Sequence, residues 1–519
     1  MHDWLDQAVR PSDAPGAVSI AGAPKVWNLI VTGEQWRQAV ENIAAGGGRL
    51  LSLWASRDTD SANLVRAAFA GDGGVLVLTL RLPGSQSHYP GLERSFPSAN
   101  RMQRAIADLC GLRSTADDQR PWLRHSAWPA SFHPLRDTTL ADQPSPPAIH
   151  DYAFVRVEGE GVHEIPVGPV HAGIIEPGHF RFSIVGEKVL RLEQRLGYAH
   201  KGIERRFTEL PLHEGHRLAA RVSGDSAVAY SWAYCQALEG MSATRVPPRA
   251  LWVRALGLEL ERIANHLGDL GALGNDAGFA VGLAQFSRLK EQLLRSTEHA
   301  LGQRYLMDLI VPGGTRLDLS SATAADLTAC VESIAGEVET LRAIYDEHAG
   351  MRDRFAGAGT VTPALAARLG LTGLAGRASS QAFDLRCDLP CEPYAQMSPA
   401  KVVRTEGDVA ARVAVRFDEV AESIRLVQQI VQNLPPGGYR WPLAAAPDGS
   451  LGIGLIEGWR GPVLVALEAG EAGKIRRCHP HDPSWQNWPV LEHAIIDNIV
   501  PDFPLINKSF NLSYSGHDL

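Results

Sequence analysis

Hydrophobic positions along this chain change their period twice. Over residues 26–137, short β-branched runs alternate with stretches of helical period. Residues 50–54 and 75–80 predict strands, Trp36, Val40 and Ile43 behind Thr32-Gly33 predict a capped helix, and 102–109 predict a second helix. Such alternation predicts a sheet with helices packed on it. Residues 96–100, Phe-Pro-Ser-Ala-Asn, read as the turn before the second helix. The polar stretch 138–150 carries Pro144, Pro146 and Pro147, favours extended polyproline geometry and reads as a linker. A short β-rich piece is expected at 152–157. Beyond it Phe180, Phe182 and Ile184 alternate with polar residues, Gly186-Glu187 supplies a turn, and Val189, Leu190 and Leu192 follow, so a β-hairpin is predicted.

Helical periodicity then dominates. Leu256, Leu260, Ile263 and Leu267 form an apolar stripe, and Glu259, Arg262 and His266 lie on a neighbouring face that is expected to be solvated. Over 405–434, Val413, Phe417, Val420, Ile424, Val427, Val431 and Leu434 recur at spacings of four and three until Pro435-Pro436-Gly437-Gly438 ends the pattern. A stripe of that length predicts a long helix packed in a bundle. Residues 452–456 and 463–467 return to β-like runs, and a final helix is expected near 487–499. The expected fold class is α+β and multidomain: a small N-terminal α/β domain over 1–137, the linker, and over 151–519 a mainly α-helical bundle with a peripheral β-hairpin and short strands.

Length and charge narrow the function classes. A chain of 519 residues exceeds one ordinary core. The net charge of -8, without a basic arm, argues against nucleic acid as a partner. The N-terminus is charged from its third residue, and no apolar run approaches the roughly 20 residues that span a bilayer. The expectation is therefore a cytoplasmic protein, or one held at a membrane by other subunits. Six cysteines contain no Cys-x-x-Cys pair and so give no zinc or iron–sulfur signature. No Gly-x-Gly-x-x-Gly loop stands between a strand and a helix, so direct NAD binding has no support. Cys478-His479-Pro480-His481-Asp482 has the His-x-His spacing of a zinc site but no second ligand cluster, and reads as structural.

Two polar turns carry the remaining signal. Ser223 and Ser226, in RVSGDS, open a helix; Ser513 and Gly516, in SYSGHDL, stand at the same interval. Together with GPVHAGIIEPGHFRF, GYAHKGIERRF, ALGLELERIANHLGDLG, the turn Pro312-Gly313-Gly314, GRASSQAFDLR and EGDVAARVAVRFDEV, they give residues 165–519 a resemblance to the large subunit of membrane-bound, group 4 nickel–iron hydrogenases. That branch includes formate hydrogenlyase and hydrogenase-4 and is related to the 49 kDa subunit of respiratory complex I. Upstream, FPSANR, Asp108-Leu109 and Gly111 resemble the 30 kDa subunit of complex I.

The resemblance implies a hydrogenase large-subunit fold and a position for the site. Active members hold nickel and iron with two Cys-x-x-Cys pairs, because soft thiolates stabilise low-valent metals and bridge them. Here the first pair aligns with Ser223 and Ser226, after Arg221, and the second with Ser513 and Gly516. Arg221, Ser223, Ser226, Tyr230, Ser513 and Gly516 would thus line a vestigial cavity in which no nickel–iron centre is expected. The family's C-terminal extension, clipped after metal insertion, has no counterpart after Leu519, which carries the same expectation. Complex I keeps a quinone-binding tyrosine where this chain has Gly224, which weakens a quinone reading, although Tyr230 is placed to face the cavity.

Glu176 matches an acidic residue of the family's hairpin loop, and with His171 and His179 it forms a candidate proton relay. The alternative is that Glu176 caps the turn and the histidines satisfy backbone groups. Glu259, Arg262, His266, Asp269, Arg404, Glu406, Asp408, Arg412 and Arg416 would continue a charged path or form structural salt bridges. Implied partners are an iron–sulfur small subunit with a 4Fe–4S cluster, a ferredoxin-like subunit and antiporter-like membrane subunits, with this chain peripheral on the cytoplasmic side of the inner membrane. The implied function is that of an NADH dehydrogenase-like or hydrogenase-4-like oxidoreductase component that couples redox or conformational energy to ion transfer, with quinone a possible ligand. A different class, a non-catalytic scaffold for ion or inorganic-carbon transport, stands beside it, as does a hydrogenase with replacement ligands.

Overall fold

The alternating pattern at the N-terminus folds into a mixed five-stranded sheet. The structure, a computed structural model, describes residues 17–137 except 59, 72 and 127, then 152–172 and 175–519. The linker expected at 138–150 lies outside the described residues. Strands β1 (Val26–Val31), β2 (Arg49–Arg57), β3 (Asn63–Gly71) and β4 (Gly74–Leu82) stand in the order Val18–Ser19, β1, β4, β3, β2, with β1 parallel to β4 and the other neighbours antiparallel. Helix α1 (Gly33–Ala45) begins at a capping box. The Thr32 hydroxyl accepts from the Gln35 amide, the Gln35 side chain accepts from the Thr32 amide, and Trp36, Val40 and Ile43 are buried. Helix α2 (Ala99–Cys110) follows the Phe-Pro-Ser turn and stops at Gly111, whose φ of 73° suits a residue without Cβ.

The second half starts with a three-stranded sheet. Strands β5 (Val162–Val167), β6 (His179–Val185) and β7 (Lys188–Arg195) form it, with the predicted hairpin as β6 and β7. The β-rich piece expected at 152–157 is no strand; the first strand of this sheet lies later, at β5. Tyr152 and Phe154 are occupied elsewhere, beneath the guanidinium groups of Arg104, Arg195 and Arg181.

Helices α3 (Ala227–Met241), α4 (Pro248–Asp276), α5 (Ala280–Leu301), α6 (Ser321–Glu347) and α7 (Val409–Gln432) form the bundle. Asp408 caps α7 by accepting from the Ala411 amide. The charged stripe of α4 is not solvated: Glu259, Arg262 and His266 are fully buried, because the face that carries them packs against α7 and the loops around Arg386 and Gly458. Strands β8 (Leu451–Glu457), β9 (Pro462–Ala469) and β10 (Ile475–His481) form an antiparallel sheet on α3, extended by Ala21–Gly22 running parallel to β8. The expected terminal helix at 487–499 is α8 (Ser484–Ala494), which breaks before Asp497, a residue at φ 66°; α9 (Phe503–Phe510) and α10 (Tyr514–Asp518) follow. The whole is α+β, a sheet domain beside a helical bundle, as the fold class read from the sequence requires. Among the described residues no helix is long and apolar enough to cross a membrane.

Candidate functional site

The two polar turns meet. The segment before α3 and the start of α10, 290 residues apart, approach until Ser223 Oγ lies 2.8 Å from Ser513 Oγ. Ser513 is the N-cap of α10, where its hydroxyl also accepts from the Gly516 amide at 2.8 Å. The Ser223 hydroxyl donates to Asp225 Oδ1 at 2.7 Å. Ser226 is buried at the start of α3, its amide donating to the Ser223 carbonyl at 3.0 Å. The four positions at which the resemblance led us to expect metal ligands are thus brought together around one pair of hydroxyls.

Beside the serines stand two charged groups that the sequence reading did not single out, Asp225 and Arg460, and two residues that it named, Tyr230 and Asp482. Asp225 is held by both ends of the Arg460 guanidinium, at 2.8 and 2.5 Å. Burial alone would raise its carboxyl, but Arg460 outweighs burial and holds it down to about 2. Arg460 also donates to the Asn511 carbonyl at 2.5 Å, and the Trp459 indole donates to the Asp225 carbonyl at 2.9 Å. On the opposite wall the Tyr230 hydroxyl donates to Asp482 Oδ2 at 2.8 Å, and burial together with that carboxylate pushes the phenol well above its ordinary range. Asp482 in turn accepts from the Ser484 amide, and the Ser484 hydroxyl accepts from the Ser513 amide. The local signals were slight: Asp225 between two serines, and Arg460 within Gly458-Trp459-Arg460-Gly461.

This donor set does not fit a nickel–iron centre. Serine hydroxyls are hard, weakly acidic ligands, and the Ser223 and Ser513 oxygens are already engaged with each other and with Asp225 and Gly516. Gly516 has no donor, and a Cβ there would lie 2.5 Å from Asp482 Oδ2 and 2.9 Å from Ser513 Oγ. The Cys478-to-Asp482 segment is likewise committed. His479 lies between Ser52 Oγ at 3.0 Å and Glu204 at 2.7 Å, His481 meets Gln486, and Asp482 serves Tyr230.

The other candidates are more dispersed. Arg221 is exposed and makes a two-armed pair with Asp308 at 2.7 and 2.8 Å. Glu176 is exposed and accepts from the Ser515 amide at 3.0 Å, which puts it at the rim of the α10 turn. His171 contacts the Gly178 carbonyl at 2.7 Å and His179 the Gly168 carbonyl at 3.2 Å. Of the charged path, Glu259 is met by Arg262, Arg386, Tyr394 and Ser423, Glu419 by His266 and Arg377, and Asp269 by Arg416. Arg412 is buried against Ser509 and two carbonyls, Asp408 caps α7, and Arg404 and Glu406 stand at the exposed end, Arg404 paired with Asp418.

Comparison with known proteins gives the following. Residues 276–448 match the family model described as the respiratory-chain NADH dehydrogenase 49 kDa subunit. Formate hydrogenlyase subunit 5 of Escherichia coli is 30% identical over 450 residues, covering 85% of this chain and 79% of that protein. Hydrogenase-4 component G of the same organism is 29% identical over 448 residues, covering 85% and 78%. NADH-quinone oxidoreductase subunit 4 of Thermus thermophilus is 30% identical over 281 residues, covering 54% and 69%. Among solved structures, a chain of the membrane-bound sulfane sulfur reductase, an archaeal respiratory membrane complex, superposes with a TM-score of 0.65 at 23% identity, over 69% of this chain and 99% of that one, and so shares the fold.

Proposed function

The chain belongs to the family of the group 4 hydrogenase large subunits and the complex I 49 kDa subunit, joined to a 30 kDa-like N-terminal region, and from that premise we propose that it takes the large-subunit place in a membrane-associated oxidoreductase complex with no nickel–iron centre of its own. The observation that carries the reading is the 2.8 Å contact between Ser223 and Ser513. The two segments that hold metal in active relatives are here tied to each other. What remains is a hydrogen-bonded junction of Ser223, Asp225, Arg460, Tyr230, Asp482 and Ser513, suited to joining the bundle to the C-terminal turn and to transmitting movement between them.

In this reading an iron–sulfur small subunit docks beside the junction and carries 4Fe–4S chemistry, ferredoxin-like and antiporter-like subunits lie beyond it, and attachment to the membrane is through those partners. Glu176, one hydrogen bond from α10, with His171 in the same loop and His179 at the start of β6, is the entry point for protons to that turn. Purified complex analysed for metals tests the central claim: nickel well below one atom per chain is expected, and about one nickel per chain, lost in Ser223→Ala, would overturn it. Electron transfer from reduced clusters to a quinone, protons or ferredoxin separates an electron-passing subunit from a purely mechanical one.

A further inference from the structure

A second concavity lies one residue from the serine junction. It is a cavity of about 310 Å³ between α4 and α5, closed by Gly224 and Asp225 on one side and by the 304–307 loop on the other. Leu260, Leu294, Leu306 and Met307 give it apolar walls, and its size falls in the range of small-molecule sites.

The charges around it do not cancel. Asp225 is already matched by Arg460, and Arg304 by Glu291 at 3.3 and 2.5 Å. Glu261 is buried and accepts from the Val228 and Ala229 amides at 2.7 and 3.4 Å; burial pushes its carboxyl up to about 8, so near neutrality it is mostly uncharged. Lys290 feels Asp269 and Asp225 through space, against Lys508, without direct contact to either carboxylate. Its ammonium is half-buried above Gly268, and among the described residues it has no hydrogen bond or ion pair. Asp269, the carboxylate that acts on it most strongly, is committed to Arg416, Asn511 and Lys508. Lys290 lines the cavity with its ammonium over Gly268, one turn beyond the wall residues Ala264 and Asn265, and a partly buried ammonium without a direct partner is stabilised by a bound anion.

We propose that this cavity binds a small organic anion, a single carboxylate on an apolar body, with the carboxylate on Lys290 and the body against Leu260, Leu294, Leu306 and Met307. Asp225 is shared between the cavity wall and the serine junction, so an occupant lies against the residue that Ser223 holds. The assignment is independent of the metal-free reading, because no residue aligned with a metal ligand lines the cavity.

Calorimetric titration of the full-length protein with benzoate, and with benzyl alcohol as the uncharged match in shape, tests it. Benzoate is expected to bind roughly tenfold more tightly than benzyl alcohol, and Lys290→Gln to remove that preference while leaving benzyl alcohol binding intact. Leu294→Trp, which fills the cavity, is expected to abolish binding of both, with circular dichroism confirming that each variant is folded. No benzoate binding, equal affinity for the two compounds, an unchanged preference in Lys290→Gln, or binding that persists in Leu294→Trp would each overturn the proposal.

Discussion

Gly516 shows how little room the junction leaves. A side chain there meets Asp482 before it meets anything else, and Asp482 holds Tyr230. Gly516→Cys is expected to restore a ligand residue and still lower stability by about 1–3 kcal/mol, as overpacking does, read from the urea midpoint. Glu261, on the cavity wall with Asp225, gives a pH signature. Its carboxyl titrates near 8 in the folded chain against an ordinary 4.5, so folding retains a proton that the unfolded chain releases between those values. Its contribution to stability is complete below pH 4.5 and is lost as pH rises through 8. Glu261→Gln cannot ionise; relative to the parent protein it is expected to be near-neutral at pH 5 and to gain at most about 1.4 kcal/mol per pH unit up to pH 8, measured by thermal unfolding at pH 5, 7 and 9.

At the scale of elements, α4 and α7 carry a buried ionic network that a surface reading of their charges misses. Glu259 takes hydrogen bonds from Arg386, Tyr394 and Ser423, and Arg386 also grips Asp384 at 2.8 Å. These charges are fully desolvated, so the cost of leaving one unpaired exceeds any attraction that was lost. Arg386→Met is expected to cost about 3–5 kcal/mol in a denaturant titration, whereas removing the exposed pair partner in Arg221→Met should cost no more than about 1 kcal/mol. Periodicity identified the apolar stripe of α4 at Leu256, Leu260, Ile263 and Leu267, and it grouped Glu259, Arg262 and His266 on one face. It could not report what that face meets, because the partners come from residues 377–394, 419–423 and 457–458.

Across the whole molecule, the N-terminal sheet and the C-terminal β-sheet are fastened by polar groups as well as by packing. Ser52 on β2 meets His479 on β10, and His479 and Arg477 converge on Glu204; Arg66 on β3 pairs with Glu468 on β9 at 2.5 Å. Burial would raise the Glu204 carboxyl, but Arg477 and His479 prevail and hold it down to about 2. That stabilisation is present above pH 4.5 and is lost as pH falls toward 2. Glu204→Gln is expected to be less stable than the parent at pH 7 and to lose less of its stability between pH 5 and pH 2, followed by tryptophan fluorescence.

The sequence by itself determined the elements whose cause is local: the Thr32 capping box, the β6–β7 hairpin, the long helix halted just before Pro435, and the identity of the residues where thiolates were expected. The periods of hydrophobic side chains and the backbone limits of proline and glycine act over a few residues, so they are written in the chain. Tertiary structure alone decided that Ser223 and Ser513 touch, that Arg460 pairs with Asp225 and Asp482 with Tyr230 beside them, that the charges of α4 are buried, and that Lys290 lines an apolar cavity without a direct partner. Each of those outcomes depends on desolvation and pairing between segments tens to hundreds of residues apart, and no local pattern encodes them.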